Sequence, residues 1–189
     1  MNLFHRWYCR SGGWARIVKE HMLPAILRDV DLGENVIEIG PGPGVTTEWL
    51  SERLPRLTAI EIDSALARKL KARMADTNVT VVEGDGTKLT MPDGEFSGAV
   101  CFTMLHHVPS PELQDRLFAE VCRVLQPGGL YVGADSTPSL FWRLAHIADT
   151  AVVVDPETLQ PRLEAAGFTD VTVNVRKEGG FNFRARRPA

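Results

Sequence analysis

Residues 36–44 read VIEIGPGPG. A short run rich in Val and Ile carries one acid, Glu38, and ends in three alternating glycines, Gly40, Gly42 and Gly44. The run predicts a buried strand, and residues from about 45 to 54 predict a helix. A strand that turns through glycines into a helix presents backbone N–H groups and the positive end of the helix dipole to a ligand. The stretch therefore predicts the first strand of an α/β ligand-binding domain.

The residues of the loop discriminate among three classes of ligand. A phosphate-binding P-loop requires a lysine that residues 46–48, Thr-Thr-Glu, do not supply, so this class is excluded. A dinucleotide fingerprint places Gly or Ala where this chain has Val45, and a branched side chain there crowds the helix against the strand. Pro41 and Pro43 have no N–H, which weakens anion binding and favours a ligand whose adjacent part is cationic. The third class has the motif Glu-x-Gly-x-Gly-x-Gly, which this chain matches with Glu38, Gly40, Gly42 and Gly44, and this motif therefore fits the loop best.

The whole chain has the organisation of an α/β domain. Its 189 residues are 44% hydrophobic and 24% charged, as in ordinary globular proteins. Apolar runs alternate with segments of helical spacing, which predicts a parallel sheet covered on both faces. Two alternating segments near the C-terminus predict an antiparallel hairpin at a sheet edge. We therefore expect a doubly wound, mostly parallel seven-stranded sheet; its parallel strands are predicted at residues 35–39, 57–62, 79–83, 97–105 and 129–134.

Several boundaries can be predicted from capping residues. We expect residues 2–28 to form one or two helices that Ser11-Gly12-Gly13 interrupt, with a kink or a new start at Pro24. Ser64 is the expected cap of one later helix, and Ser110-Pro111 begins another, which ends at residues 126–129. Asp155-Pro156 begins a further helix that Gly167 ends. Residues 1–30 are expected to be a helical cap on a domain that spans residues 31–189.

Charge and cysteine content indicate the compartment and the partners. The net charge of −3 gives no general reason to bind nucleic acid, and we expect the basic C-terminal residues to be a solvated edge strand rather than a phosphate patch. Cys9, Cys101 and Cys122 show no metal or redox spacing, so reduced thiols and a cytoplasmic location are expected. The N-terminal residues do not resemble a secretory signal, and no stretch approaches the length of a membrane-spanning helix.

One acid lies at or just after the end of each of the next two predicted strands. Glu61 lies 19 residues after Gly42, the distance at which one βα unit returns an acid to a ribose, although Asp63 is a competing candidate on the same face. Asp85 follows the third strand within Glu-Gly-Asp-Gly, where the alternative role is a turn carboxylate that binds its own backbone. Ligands bind outside the carboxyl ends of the strands in open α/β sheets, so the glycines and these acids are expected to converge.

With these motifs the chain resembles the class I S-adenosylmethionine-dependent methyltransferases over nearly its whole length. The resemblance implies a Rossmann-like methyltransferase fold, S-adenosyl-L-methionine as cofactor and S-adenosyl-L-homocysteine as product. It implies that Glu38 and the loop surround the methionine part, that Glu61 binds the ribose, and that Asp85 and Gly86 bind the adenine. The cofactor-binding residues it implies are Glu38, Gly40, Pro41, Gly42, Gly44, Glu61, Ile62, Asp85, Gly86 and Thr103.

The stretch after the fourth strand bears on the methyl acceptor. Methyltransferases of nucleobase amino groups or glutamine amides carry an Asn/Asp-Pro-Pro-Tyr/Phe box there, which Thr103-Met104-Leu105 replaces in this chain. An exocyclic nitrogen acceptor is therefore not expected, and we expect a small-molecule oxygen or carbon acceptor with no metal. His106 and His107 are the candidates for a general base. Alternatively, one of them is buried and bound to backbone while the other lines the cofactor pocket without proton transfer.

Three other functions stay open at this point. An NAD-dependent oxidoreductase is favoured by Glu61 and disfavoured by Val45 and by the lack of a Tyr-x-x-x-Lys pair. A non-catalytic cofactor-binding protein would keep the pocket without an acceptor. RNA methylation finds slight support in the basic C-terminal residues and in Glu61. The sequence leaves the acceptor, the pathway and the oligomeric state open.

Overall fold

A computed structural model describes residues 11–138, 151–176 and 179–189. In these residues one seven-stranded sheet has the order β3-β2-β1-β4-β5-β7-β6. The first five strands are parallel, and β7 is antiparallel to both β5 and β6, which confirms the predicted fold class. The strands are β1 Asn35–Ile39, β2 Arg56–Glu61, β3 Val79–Glu83, β4 Phe96–Phe102, β5 Leu125–Asp135, β6 Thr169–Val175 and β7 Phe181–Arg186.

Helices cover both faces of the sheet. One face packs mainly against the helix before β5 and the helix before β6, and the other against the N-terminal helices and the helix after the glycine loop. The strand order reverses between β1 and β4, which places a ligand crevice at the carboxyl ends of these strands. The α-helices are α1 Gly12–Ile17, α2 Leu23–Ile26, α3 Val45–Ser51, α4 Ser64–Arg73, α5 Pro111–Val124 and α6 Pro156–Ala165.

The N-terminal helices form one continuous segment through a π-helical turn at Val18–Met22. Ser11 caps α1 by accepting a hydrogen bond from the Trp14 N–H, so the two glycines begin a helix. Pro24 lies in the first turn of α2, and the preceding π turn accommodates its missing N–H. Residues 1–10 lie outside the described residues, and the division at residue 30 stays a prediction.

Two predicted helix boundaries are wrong. The cap of α4 is Asp63, whose Oδ1 atom accepts from the Ala65 and Leu66 N–H groups, whereas Ser64 is the first helical residue. The helix α5 ends at Val124, and β5 follows immediately because the fully buried Leu125 pairs with β4. Burial and strand pairing of Leu125 thus end α5 at Val124, before residues 126–129, where we had predicted its end.

Other boundaries agree with the capping residues. Ser110 accepts from the Leu113 N–H at the start of α5, and Asp155 accepts from the Glu157 N–H at the start of α6. The described helices include none that is long and apolar enough to cross a membrane.

Candidate active site

The three glycines of the loop all have left-handed backbone conformations. The φ angles are 68° at Gly40, 55° at Gly42 and 86° at Gly44, a region that side chains disfavour. A Cβ atom at Gly40 would lie 2.9 Å from the side chain of Met104. A Cβ atom at Gly42 would have no heavy atom within 4 Å, so this glycine faces open space. The loop therefore offers bare backbone to that space.

The end of β2 fixes the loop. The Gly40 N–H donates to the Ile60 carbonyl at 2.9 Å, and the Gly42 N–H donates to Oε2 of Glu61 at 2.8 Å. The other oxygen of Glu61 accepts from the Asp63 N–H at 2.9 Å. Glu61 is only 5% exposed, and burial raises its pKa although these hydrogen bonds oppose the shift. Each oxygen keeps a second lone pair for a ligand hydroxyl.

Asp63, the competing ribose candidate, serves a different purpose. Its Oδ1 atom accepts the two N–H donors that begin α4. Glu61 is the acid that contacts the glycine loop, so the geometry favours Glu61 for the ribose, and that role stays a prediction.

Glu38 is buried in the middle of the sheet, 1% exposed. The Thr47 hydroxyl donates to its Oε2 atom at 2.7 Å, and the Thr46 hydroxyl donates to its Oε1 atom. Burial raises the pKa of Glu38 to about 7; the two hydroxyls act against the shift, and the charge of Glu61 adds to it. These threonines lie in the first turn of α3, and we did not predict their contacts with Glu38. The role of Glu38 toward a ligand ammonium stays a prediction.

A cavity of about 180 Å³ lies beside the loop at the carboxyl ends of β1 to β4. It is mainly apolar, and Ile62, which is 68% exposed, stands at its edge. Asp85 uses Oδ1 to accept from the N–H and the hydroxyl of Thr87, both at 2.9 Å, as in the predicted turn role. Its Oδ2 atom remains an acceptor for a ligand amino group. The lining residues are Ile39, Gly40, Ile60, Ile62, Gly84, Asp85, Gly86, Thr87, Met104, His107, Val108, Pro109, Leu113 and Leu117.

The two histidines occupy different environments. His107 lines the cavity. His106 is 3% exposed, and its Nδ1 atom lies 2.6 Å from Oδ1 of Asp135 at the end of β5. The His106 N–H donates to Oδ2 of the same carboxylate at 3.1 Å. Burial acts to raise the pKa of Asp135, but His106 and the backbone donors outweigh it, so the pKa is lowered. The general-base role of either histidine stays a prediction.

Asp135 is a site residue that we did not predict. The available signal was an acid that ends an apolar run, as Glu61 does in β2.

Thr103, at the end of β4, has a φ of 52°, which is uncommon for a β-branched residue. Its N–H donates to the Ala134 carbonyl at 2.7 Å, which fixes the strained backbone to β5. Strain of this kind is concentrated at functional sites.

Comparison with known proteins supports the same class. The family described as a methyltransferase domain matches residues 36–129. A probable ribosomal RNA small subunit methyltransferase A of Haloarcula marismortui is 34% identical over 154 residues, which cover 73% of this chain and 52% of that protein. The chain spans about half the length of this curated relative.

Solved structures share the fold. A SAM-dependent methyltransferase of Methanosarcina mazei superimposes with a TM-score of 0.70 at 20% identity, covering 87% of this chain and 97% of that one. The N-methyltransferase NodS of Bradyrhizobium japonicum, solved with S-adenosyl-L-homocysteine, gives a TM-score of 0.73 at 20% identity, covering 97% and 92%. The architecture is therefore the Rossmann-like methyltransferase fold. Residues 36–129 therefore match a methyltransferase domain, and the described residues have the fold of the class I S-adenosylmethionine-dependent methyltransferases.

The residues present fit the cofactor of that family. The open backbone at Gly42, the buried Glu61 and the apolar cavity with Asp85 meet at one edge of the sheet. A Cβ atom at Gly86 would lie 2.7 Å from Ile39, so the cavity wall requires glycine there. Among the described residues, no cluster of His, Cys, Asp and Glu could hold a metal ion.

Proposed function

We propose that this protein transfers a methyl group from S-adenosyl-L-methionine to an oxygen or carbon atom of a small molecule. The observation that carries the proposal is the convergence of the glycine loop, Glu61 and the Asp85 cavity at three successive strand ends. When bound, the cofactor supplies an activated methyl group on its sulfonium. The protein then has to orient and desolvate the two reactants, which accounts for about 7–11 kcal/mol in favourable cases.

Each group of residues has one part in this proposal. Glu61 accepts from the ribose hydroxyls while it holds the Gly42 N–H. Asp85 accepts from the adenine amino group through Oδ2, and Ile62 covers one edge of the ring. Glu38 lies behind the loop and compensates the ammonium charge. His107 is the better placed base, because it lines the cavity whereas the buried His106 is not among the lining residues.

A nucleic acid acceptor is the second candidate, because the relative of 34% identity is named a ribosomal RNA methyltransferase. The chain lacks the acceptor box of nucleobase amino methyltransferases after β4. Three arginines of the basic C-terminal region also donate to backbone carbonyls within the chain. Arg184 binds the carbonyls of Ile26 and Arg28, Arg186 that of Gly128, and Arg187 those of Arg123 and Leu125. These contacts favour a structural role for the three side chains and the small-molecule proposal.

Two experiments test the proposal. Calorimetric titration with S-adenosyl-L-homocysteine and with NAD should show binding of the first ligand only. Metabolite profiling of a deletion strain against its parent should show a species lighter by one methylene. Binding of NAD without a response to S-adenosyl-L-homocysteine would reverse the cofactor assignment. Labelled methyl transfer to ribosomal RNA, with strongly salt-dependent binding, would replace the small-molecule acceptor.

A further inference from the structure

The side chain of Arg73, the last residue of α4, lies against the glycine loop. Its Nη2 atom donates to the carbonyl oxygen of Pro43. A Cβ atom at Gly44 would lie 2.3 Å from the same Nη2 atom. The bare backbone at Gly44 therefore leaves the space that the guanidinium group occupies, which gives this glycine a role other than that of Gly42.

The peptide between Pro43 and Gly44 is held at both ends. Its carbonyl accepts from Arg73, and its N–H donates to the Pro41 carbonyl at 2.9 Å. No side chain caps α3, whose N-cap is Gly44, so this peptide sets the start of the helix. Loss of the arginine contact would release the carbonyl end and permit the peptide to rotate.

Glu48, in the first turn of α3, orients Arg73. Its Oε1 atom lies 3.0 Å from the Arg73 Nε atom, and its Oε2 atom lies 2.8 Å from Nζ of Lys19 in the π turn. The planar guanidinium binds the carboxylate through Nε while Nη2 reaches the carbonyl, two fixed donor positions that the single nitrogen of a lysine does not reproduce. The three side chains are 34–43% exposed, so their ion pairs contribute little to global stability.

We propose that Arg73 is a positioning residue of the cofactor loop, held in place by Glu48, and that Lys19 connects the N-terminal helical segment to the same carboxylate. The inference rests on the proposed function, because the loop is taken to bind the cofactor. Arg73 contacts the loop at the Pro43–Gly44 peptide, and we expect its effect on the ligand to pass through that peptide.

The test compares Arg73→Met with Arg68→Met, an exposed arginine of the same helix. Loss of the charged donor should weaken S-adenosyl-L-homocysteine binding by about fivefold or more in Arg73→Met, and leave Arg68→Met unchanged. Amide hydrogen exchange in residues 40–50, measured without ligand, should accelerate only in Arg73→Met. Arg73→Lys should give an intermediate affinity, since it keeps the charge but lacks the two fixed donor positions of the guanidinium.

The Glu48→Gln variant adds a thermodynamic cycle. In the wild-type protein, Glu48→Gln should weaken S-adenosyl-L-homocysteine binding less than Arg73→Met does. In a protein that already carries Arg73→Met, the added Glu48→Gln substitution should change the affinity little further. Unchanged affinity and exchange in Arg73→Met would overturn the inference, as would a loss of stability without a change in affinity. If the wild-type protein does not bind S-adenosyl-L-homocysteine, the proposed function fails, and the exchange measurement still tests the loop contact by itself.

Discussion

Replacement of Glu38 by Gln should remove a pH dependence from the stability of the ligand-free protein. The carboxyl group is buried between β2 and β4, where Glu38 pairs with Ala59 and Val100. The hydroxyls of Thr46 and Thr47 donate to it, but burial dominates and raises its pKa from 4.5 to about 7. The folded protein thus retains a proton over a pH range in which the unfolded chain has released it.

The sign and size of the effect follow from this difference. Because the folded pKa is the higher one, the stabilisation is fully present below pH 4.5 and is lost as the pH rises to about 7. A difference of one in pKa corresponds to about 1.4 kcal/mol, so the complete loss for a rise from 4.5 to about 7 amounts to about 3.5 kcal/mol. About 2.5 kcal/mol of this stabilisation should be lost between pH 5 and pH 8.

Urea denaturation at both pH values measures the effect. The free energy of unfolding of the wild-type protein, relative to that of Glu38→Gln, should fall by about 2.5 kcal/mol between pH 5 and pH 8. Gln preserves the shape, and the threonine hydroxyls can reorient toward the amide. The exposed Glu95→Gln serves as control and should follow the wild-type protein. Parallel curves for wild type and Glu38→Gln would refute the reasoning, because Glu38 would then not titrate in this range.

A ligand measurement extends the same prediction. An ammonium group near Glu38 should lower its pKa, so binding of S-adenosyl-L-homocysteine at pH 6.5 should release about 0.8 proton. Calorimetry in two buffers of different ionisation enthalpy reports this number. Glu38→Gln should release none. Equal release by both proteins would place the ammonium away from Glu38.

Three further substitutions test the site. Thr103→Gly should raise the free energy of unfolding by about 1 kcal/mol in urea denaturation. Glycine adopts the positive φ of this position without strain, and this gain exceeds the cost of the greater entropy of glycine in the unfolded chain. Glu61→Gln should weaken S-adenosyl-L-homocysteine binding in calorimetry by about tenfold, because charge-assisted bonds to the ribose are lost while an amide oxygen can still hold the Gly42 N–H. Asp135→Asn should lower the free energy of unfolding by about 2–4 kcal/mol, because the buried carboxylate accepts from His106 Nδ1 and from the N–H groups of His106 and Ser136.

Each of these results has a contrary outcome. Destabilisation by Thr103→Gly would mean that side-chain contacts outweigh the backbone strain. Unchanged affinity in Glu61→Gln would remove the ribose assignment and leave Glu61 as a support of the loop. A stable Asp135→Asn protein would show that the pair with His106 does not hold the ends of β4 and β5 together.

Local patterns predicted most of the fold. The apolar runs gave the five parallel strands, and the alternating segments gave the hairpin, since strand periodicity is a property of neighbouring residues. Ser110 and Asp155 identified two helix starts because a cap contacts residues only two or three positions away. The predicted end of α5 was wrong because Leu125 pairs with Phe96, a residue far away in the sequence that a local pattern does not include.

The order of residues along the chain was enough to predict that three glycines follow the first strand and that an acid lies at or just after the end of each of the next two. The contacts of those acids became visible only in the folded molecule. Glu38 accepts hydrogen bonds from two threonines of the helix that follows it. Arg73 donates to a loop carbonyl 30 positions earlier in the chain, and His106 lies within hydrogen-bond distance of Asp135, 29 positions later. Packing of helices on a twisted sheet makes such contacts, and no periodicity along the chain encodes which side chains will meet.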